Sequence, residues 1–182
     1  MKKTVWTFGL ISGAILSVMM LLTMPFADMI GYDRGQVIGY TTMVLAFLLI
    51  FFGVRSYRDN VAGGAIRFGR ALAIGSLITL VASLCYVATW EIIYFKLAPD
   101  FAQKFQTMAE EKARASGDSP EEIQKKLDDA QKFAQLYKNP AFNAAITFIE
   151  PLPVGLVFAL VSAGVLSRKR RSAPASLAAT IG

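Results

Sequence analysis

Four long apolar runs, covering residues 5–26, 37–54, 71–95 and 141–166, constrain this chain more than any other feature. A bilayer's hydrocarbon core of about 30 Å needs roughly 20 mostly apolar residues per helix, because a helix rises about 1.5 Å per residue. Each run is of that order. Apolar residues make up 54% of the chain and the mean hydropathy is +0.46, too high for a soluble globule of ordinary make-up. The pattern predicts an all-α membrane protein with four transmembrane helices. Lys2 and Lys3 precede the first run as in a secretory signal. However, the run outlasts a typical signal core of about 7–15 residues and no small-x-small cleavage site follows. We therefore expect a retained first span within a single membrane domain over residues 1–170, with 171–182 as a flexible cytoplasmic tail.

The formal net charge is +6. In a soluble protein this would point to nucleic acid, but its placement argues against that partner. Lys2, Lys3, Arg55, Arg58, Arg67, Arg70, Arg168, Lys169, Arg170 and Arg171 all fall in short flanks on one side of a four-span layout, where only Asp59 opposes them. The other side mixes nine basic residues with ten acids. Dense basic flanks abutting the spans predict that both termini are cytoplasmic, in a multi-pass protein. Trp6 and Tyr57 at one set of span ends, and Tyr32, Trp90 and Tyr94 at the other, fit aromatic belts at the two interfaces.

Small residues recur every four positions at Gly9, Gly13 and Ser17, at Ala71, Gly75, Thr79 and Ser83, and at Gly155, Ala159 and Ala163. Such stripes let helix backbones approach closely in lipid. They serve either packing within one bundle or a homo-oligomer face. Packing within the chain is favoured, since every later span has partners in its own chain.

The polar insertion at about 97–139 reads as an extracytoplasmic amphipathic helical hairpin between the third and fourth spans. Pro99 can open a first helix that carries Phe101, Phe105, Met108 and Ala109 on one face, and Gly117 ends it. Ser119-Pro120-Glu121-Glu122 then forms a capping box with proline at the first helical position. Ile123, Leu127, Ala130, Ala134 and Tyr137 continue at helical spacing, and Asn139-Pro140 leads into the fourth span. The apolar faces of the hairpin should pack on each other or rest on the membrane.

Residues suited to chemistry are sparse. With no histidine and one cysteine, Cys85, the chain offers no imidazole catalysis, no histidine-based metal site and no paired-cysteine zinc spacing. We expect no catalytic residues, no cofactor and no metal. The stretch FFGVRSYRDNVAGGAIRFGRAL approaches a phosphate loop, with Gly64 and Gly69 four residues apart. A phosphate loop needs Lys and Ser or Thr where Arg70 and Ala71 stand, and it must follow a soluble strand rather than a span. It reads instead as a cytoplasmic turn, in which Arg55, Tyr57, Arg58, Asp59, Arg67 and Arg70 are candidates for contact with anionic lipid headgroups or a partner.

Ionisable groups inside a bilayer are expensive and are functional candidates by default, which singles out Glu91 and Glu150. Counted along the helices, Glu150 lies about 24 Å from Leu166 and Glu91 about 30 Å from Ala71, so both fall toward the outer edge with Glu150 the deeper. Pro151 and Pro153 follow Glu150 and remove backbone donors, as in the broken helices of transporters or in a simple proline kink. A cation or proton site at Glu150, with Glu91, is the functional alternative to a solvated interfacial carboxylate.

The ordered segments GYTTMVLAFLLIFFGVRSYRD, GGAIRFGRAL, WEIIYF and FIEPLPVGLVFALVSAGVLSRK resemble a family of small bacterial membrane proteins known as domain-of-unknown-function family 4199. The resemblance runs from about Lys3 to Lys169. It implies four spans with a polar insertion before the last, and it attaches no reaction or ligand. Arg55, Tyr57, Arg58, Asp59, Phe68, Glu150 and Pro151 occupy the matching positions. The expected function is that of a structural or interaction component of the bacterial cytoplasmic membrane rather than an enzyme. The alternative is a small oligomeric transporter or ion-conducting subunit using Glu150 and Glu91.

Overall fold

Four helical stretches, Lys2–Ile30, Asp33–Asn60, Phe68–Leu97 and Pro140–Leu166, are each long and apolar enough to cross a membrane. They are seen in a computed structural model that describes residues 1–167, with only the backbone described at Tyr32. The basic group Arg168 to Arg171 and the expected tail at 171–182 lie outside the described residues. Among the described residues all regular structure is helical, as lipid requires of a chain whose backbone polar groups must be satisfied locally.

Helix α1 (Lys2–Thr23) passes through a 3-10 turn at Met24–Phe26, where Pro25 sits, into the short α2 (Ala27–Ile30). Gly31, at φ +74°, reverses the chain into α3 (Tyr32–Asn60). At the opposite end of the bundle, Gly63 and Gly64 adopt φ of +69° and +88°. There the Gly64 N–H donates to Arg58 O at 2.8 Å, closing α3 before α4 (Phe68–Ile92) begins. A π-helical turn, Ile93–Leu97, ends the third span. The hairpin follows as α5 (Phe101–Ala115) and α6 (Pro120–Tyr137), joined through Gly117 at φ +74°. The fourth span is α7 (Pro140–Ile149) and α8 (Leu152–Leu166).

Helix α4 is the hub: it packs on α1, α3, α7 and α8, while α3 also touches α1 and α8. The small-residue stripes explain these contacts. A β-carbon added at Gly9 would lie 2.7 Å from Val81 Cβ, one at Gly13 would lie 2.6 Å from Cys85 Cβ, and one at Gly75 would lie 2.8 Å from Ala159 Cβ. Gly155 is pressed against Thr79 in the same way. These glycines therefore pack within the chain. Met43, Phe47 and Ile50 of α3, with Ile74 and Ile78 of α4, fill the middle. Hydroxyls add polar ties between spans: Ser12 donates to Ala46 O at 3.0 Å, and Thr89 donates to Ser17 Oγ at 2.7 Å. Leu22, Leu45, Leu84, Val157 and Leu160 point outward, as lipid-facing positions should.

The hairpin carries the expected capping box, in which Ser119 Oγ accepts from Glu122 N–H at 3.3 Å and Glu122 Oε2 accepts from Ser119 N–H at 3.1 Å. It does not stand free. Lys104 reaches Asp28 at 2.7 Å and Lys112 reaches Asp33 at 2.5 Å, holding α5 to the turn between the first two spans.

A hairpin-capped cavity as the candidate functional site

Below the hairpin the spans do not close. A cavity of about 460 Å³ lies between α1, the α2 turn, the first half of α3, the second half of α4, and α7, with α5 and α6 over its mouth. Three local patterns create it. Gly31, Gly35 and Gly39 give α3 a face without side chains, and a β-carbon at Gly35 or Gly39 would meet nothing within 4 Å. Tyr86 and Trp90 of α4 and Tyr94 of the π-helical turn line it at four-residue spacing, and Phe101, Phe105, Phe133 and Tyr137 line it from the hairpin. Leu16, Met19, Met20 and Met43 complete an apolar wall.

Thr23, Gln36, Tyr40 and Thr42 add polar groups to the wall, and α7 carries a polar relay at the end of the hairpin. Asn143, fully buried, donates from its amide to the Tyr137 carbonyl at 3.2 Å and accepts from Thr147 Oγ1 at 3.3 Å. Thr147 has one proton and spends it on Asn143, so the Tyr137 hydroxyl is the donor in its 3.2 Å contact with Thr147 Oγ1. Trp90 Nε1–H donates to the Tyr137 oxygen at 3.1 Å. Burial pushes the Tyr137 phenol above its ordinary range, which keeps its proton in place. This relay fastens the end of α6 to both α4 and α7.

Glu150 follows Thr147 by three residues, on the same side of α7, and lines the cavity. Its Oε2 accepts the Tyr86 hydroxyl proton at 3.0 Å, and its side chain remains accessible because the cavity surface reaches it. The backbone stays right-handed helical through Glu150 (φ −58°, ψ −52°) and Pro151 (φ −78°, ψ −15°), so the prolines make a kink and not an unwound segment. The fourth span extends to Pro140, about 15 Å of helix beyond Glu150. Its depth is the one implied by the apolar run at 141–166, about 24 Å of helix from Leu166.

Glu91 is elsewhere. It is not part of the cavity wall, and its Oε1 is buried without a hydrogen-bond partner. The structure thus separates the two carboxylates that the sequence grouped together. Among the described residues no cluster of three His, Cys, Asp or Glu is placed to hold a metal ion.

At the opposite end, Asp59 pairs with Arg58 at 2.7 Å and with Arg55 at 3.6 Å, while Arg67 and Arg70 stay exposed. Tyr57 departs from its expected place at the interface. It is only 8% exposed and belongs to the core beside Val54 and Ile66, so it offers no ring to a headgroup or partner.

Gly35, Gly39, Tyr86, Asn143 and Thr147 were not singled out by the sequence reading. A signal for them does exist, in glycine, aromatic and polar residues repeated at helical spacing within the second, third and fourth runs. A family described as "Protein of unknown function (DUF4199)" matches residues 7–168, and the chain belongs to it. No curated protein and no solved structure matches the chain.

Proposed function

We propose that this DUF4199 member is an integral protein of the bacterial cytoplasmic membrane that binds a small, apolar-bodied molecule in its hairpin-capped cavity. In this reading both termini are cytoplasmic and the hairpin is outside, because the densest basic flanks, Lys2 and Lys3 and Arg55 to Arg70, gather at the end away from the hairpin. The same flanks meet anionic headgroups. The observation that carries the binding role is the cavity of about 460 Å³ itself. Ligand pockets commonly span about 300–1,000 Å³. Its wall is mostly apolar and aromatic with a single carboxylate, the make-up of a small-molecule site.

Native mass spectrometry in mild detergent tests this. Gly39→Leu fills the cavity, whereas Gly164→Leu places the same side chain in open space on α8, outside the cavity wall. Co-purifying small molecule should fall at least tenfold in the first and persist in the second. Equal retention by both would refute the reading.

A second reading, an ion- or proton-conducting subunit, draws on Glu150. The packing opposes it: beyond the level of Glu150 and Tyr86 the bundle is shut by Phe47, Ile50 and Ile78, all fully buried. Liposome flux that exceeds empty vesicles in the parent and is lost in Glu150→Gln would favour conduction all the same. The site is read as a binding site rather than a catalytic one because its wall is mostly apolar and aromatic and carries a single carboxylate, with no second acid or base beside it among the described residues.

A further inference from the structure

This inference rests on the ligand-binding reading and names the ligand class. From the charge and lining of the cavity, we propose that it selects organic cations: an apolar body bearing an ammonium or equivalent charge that pairs with Glu150.

Charge carries the argument. Glu150 is the one ionisable carboxyl in the wall, and no lysine or arginine lines the cavity among the described residues. Lys104 and Lys112, on the hairpin helix that contributes Phe101 and Phe105 to the wall, are engaged by Asp28 and Asp33. Tyr86 gives Glu150 its single hydrogen bond, on Oε2. An ionised carboxylate has about four acceptor sites, so most of its capacity faces the cavity unmet. A charge withdrawn from bulk water is stabilised by a partner of opposite sign. An anionic ligand would worsen the imbalance and a neutral one would leave it standing, whereas a cation removes it.

The wall chemistry points the same way. Tyr40, Trp90, Phe101, Phe105 and Phe133 surround the space, and aromatic faces attract cations through their quadrupoles. The edge N–H of Trp90 is already given to Tyr137, so what this residue can still offer a ligand is its ring. Met19, Met20 and Met43 are flexible and polarisable, so the apolar body can vary in shape. Gly35 and Gly39 supply the room for that body.

The test uses two probes of nearly equal shape and opposite charge, tetraphenylphosphonium and tetraphenylborate, with neutral N-phenylnaphthylamine as a third. Binding to the full-length protein in a non-ionic detergent is followed by calorimetry and fluorescence. The phosphonium should bind at least tenfold more tightly than the borate. Glu150→Gln should weaken the phosphonium at least tenfold and leave the neutral dye unchanged. Tyr86→Phe should weaken it by a smaller factor, which provides a second reading if Glu150→Gln folds poorly. Equal affinity for both ions, or phosphonium affinity indifferent to both substitutions, overturns the cation assignment. If the neutral dye still binds and Gly39→Leu blocks it, the binding reading survives that failure. If no probe binds and Gly39→Leu changes nothing, both fall.

Discussion

Two glycines of the same bundle should respond to alanine with opposite signs. At Gly75 the new methyl would sit 2.8 Å from Ala159 Cβ, 3.0 Å from Ala159 Cα and 3.1 Å from Ile50 Cγ2. Carbon pairs prefer about 3.5–4.0 Å, so relief requires α4 and α8 to part by roughly half an ångström or more. No rotamer change of Ala159 can absorb this. Overpacking costs about 1–3 kcal/mol. Against it stands a gain of about 0.8–1.0 kcal/mol from replacing glycine within a helix. Because the obstructing atoms are fixed, the overpacking cost should fall in the upper part of its range, roughly 2–3 kcal/mol, and the net effect should be a loss of about 1–2 kcal/mol. At Gly39 nothing lies within 4 Å of the new methyl. Only the propensity gain remains there, a stabilisation of up to about 1 kcal/mol. Reversible unfolding in mixed micelles, followed by circular dichroism, measures both. A Gly75→Ala variant as stable as the parent would refute the close α4–α8 contact. A destabilised Gly39→Ala would refute the open face of α3.

Tyr137→Phe removes the acceptor of Trp90 and the donor to Thr147, which should cost about 1–3 kcal/mol; hydrogen exchange should speed up in α5 and α6 and stay slow in α3 and α8, and unchanged hairpin protection would contradict the anchoring role. The hairpin's ion pairs, Lys126–Asp118 and Lys104–Asp100 within it and Lys104–Asp28 to the turn between the first two spans, should be insensitive to pH between about 5 and 9 and weakened by salt. Lys126 and Ser116 hold Asp118 below the usual carboxylate range, and Lys104 does the same to Asp100, so their contribution is complete above about pH 4 and lost only as pH falls through the lowered values. Lys104 is raised by Asp28, so its contribution is complete below about pH 10 and lost as pH rises through the raised value. Exchange rates in α5, corrected for intrinsic pH dependence, check this, and a midpoint inside the window would contradict it. For topology, Lys125→Cys in a Cys85→Ala background should react with an impermeant maleimide on intact cells, whereas labelling only after lysis would reverse the orientation.

The spans and the hairpin were legible because each obeys a one-dimensional rule. Run length against bilayer thickness found the four helices, although α3 continues from Tyr32 to Asn60 where the apolar run covered only 37–54. Polar residues at the ends lengthen the helix beyond its apolar run, so the run underestimates it. Ser119 and Glu122 cap each other through neighbours in sequence, and such local geometry can be read directly. The cavity depends on which faces meet. Gly9 and Gly13 share their spacing with Gly35 and Gly39, yet the first pair touches Val81 and Cys85 while the second opens onto space. Spacing alone cannot distinguish a filled groove from an empty one. Tyr57 failed for the same reason: its position along the chain suited an interfacial ring, and the rotation of α3 turned it inward.

Helix α7 shows why hairpin and cavity belong to one device. Its polar side places Asn143, Thr147 and Glu150 on successive turns. The first two are consumed by Tyr137 at the end of α6, and the third is left facing the cavity with Tyr86 as its support. Pro151 is fully buried immediately afterwards, so the kink fixes where α7 pivots against α8. A ligand that draws Glu150 inward therefore pulls on the helix that holds the hairpin down. Conversely, freeing Tyr137 removes the wall residues Phe133 and Tyr137 together. If the cavity binds a ligand as proposed, occupancy and docking of the hairpin would be coupled, each changing the other by the same factor. The Lys104–Asp28 and Lys112–Asp33 pairs, exposed and weak individually, also tie the hairpin to the turn between the first two spans and would contribute to that coupling.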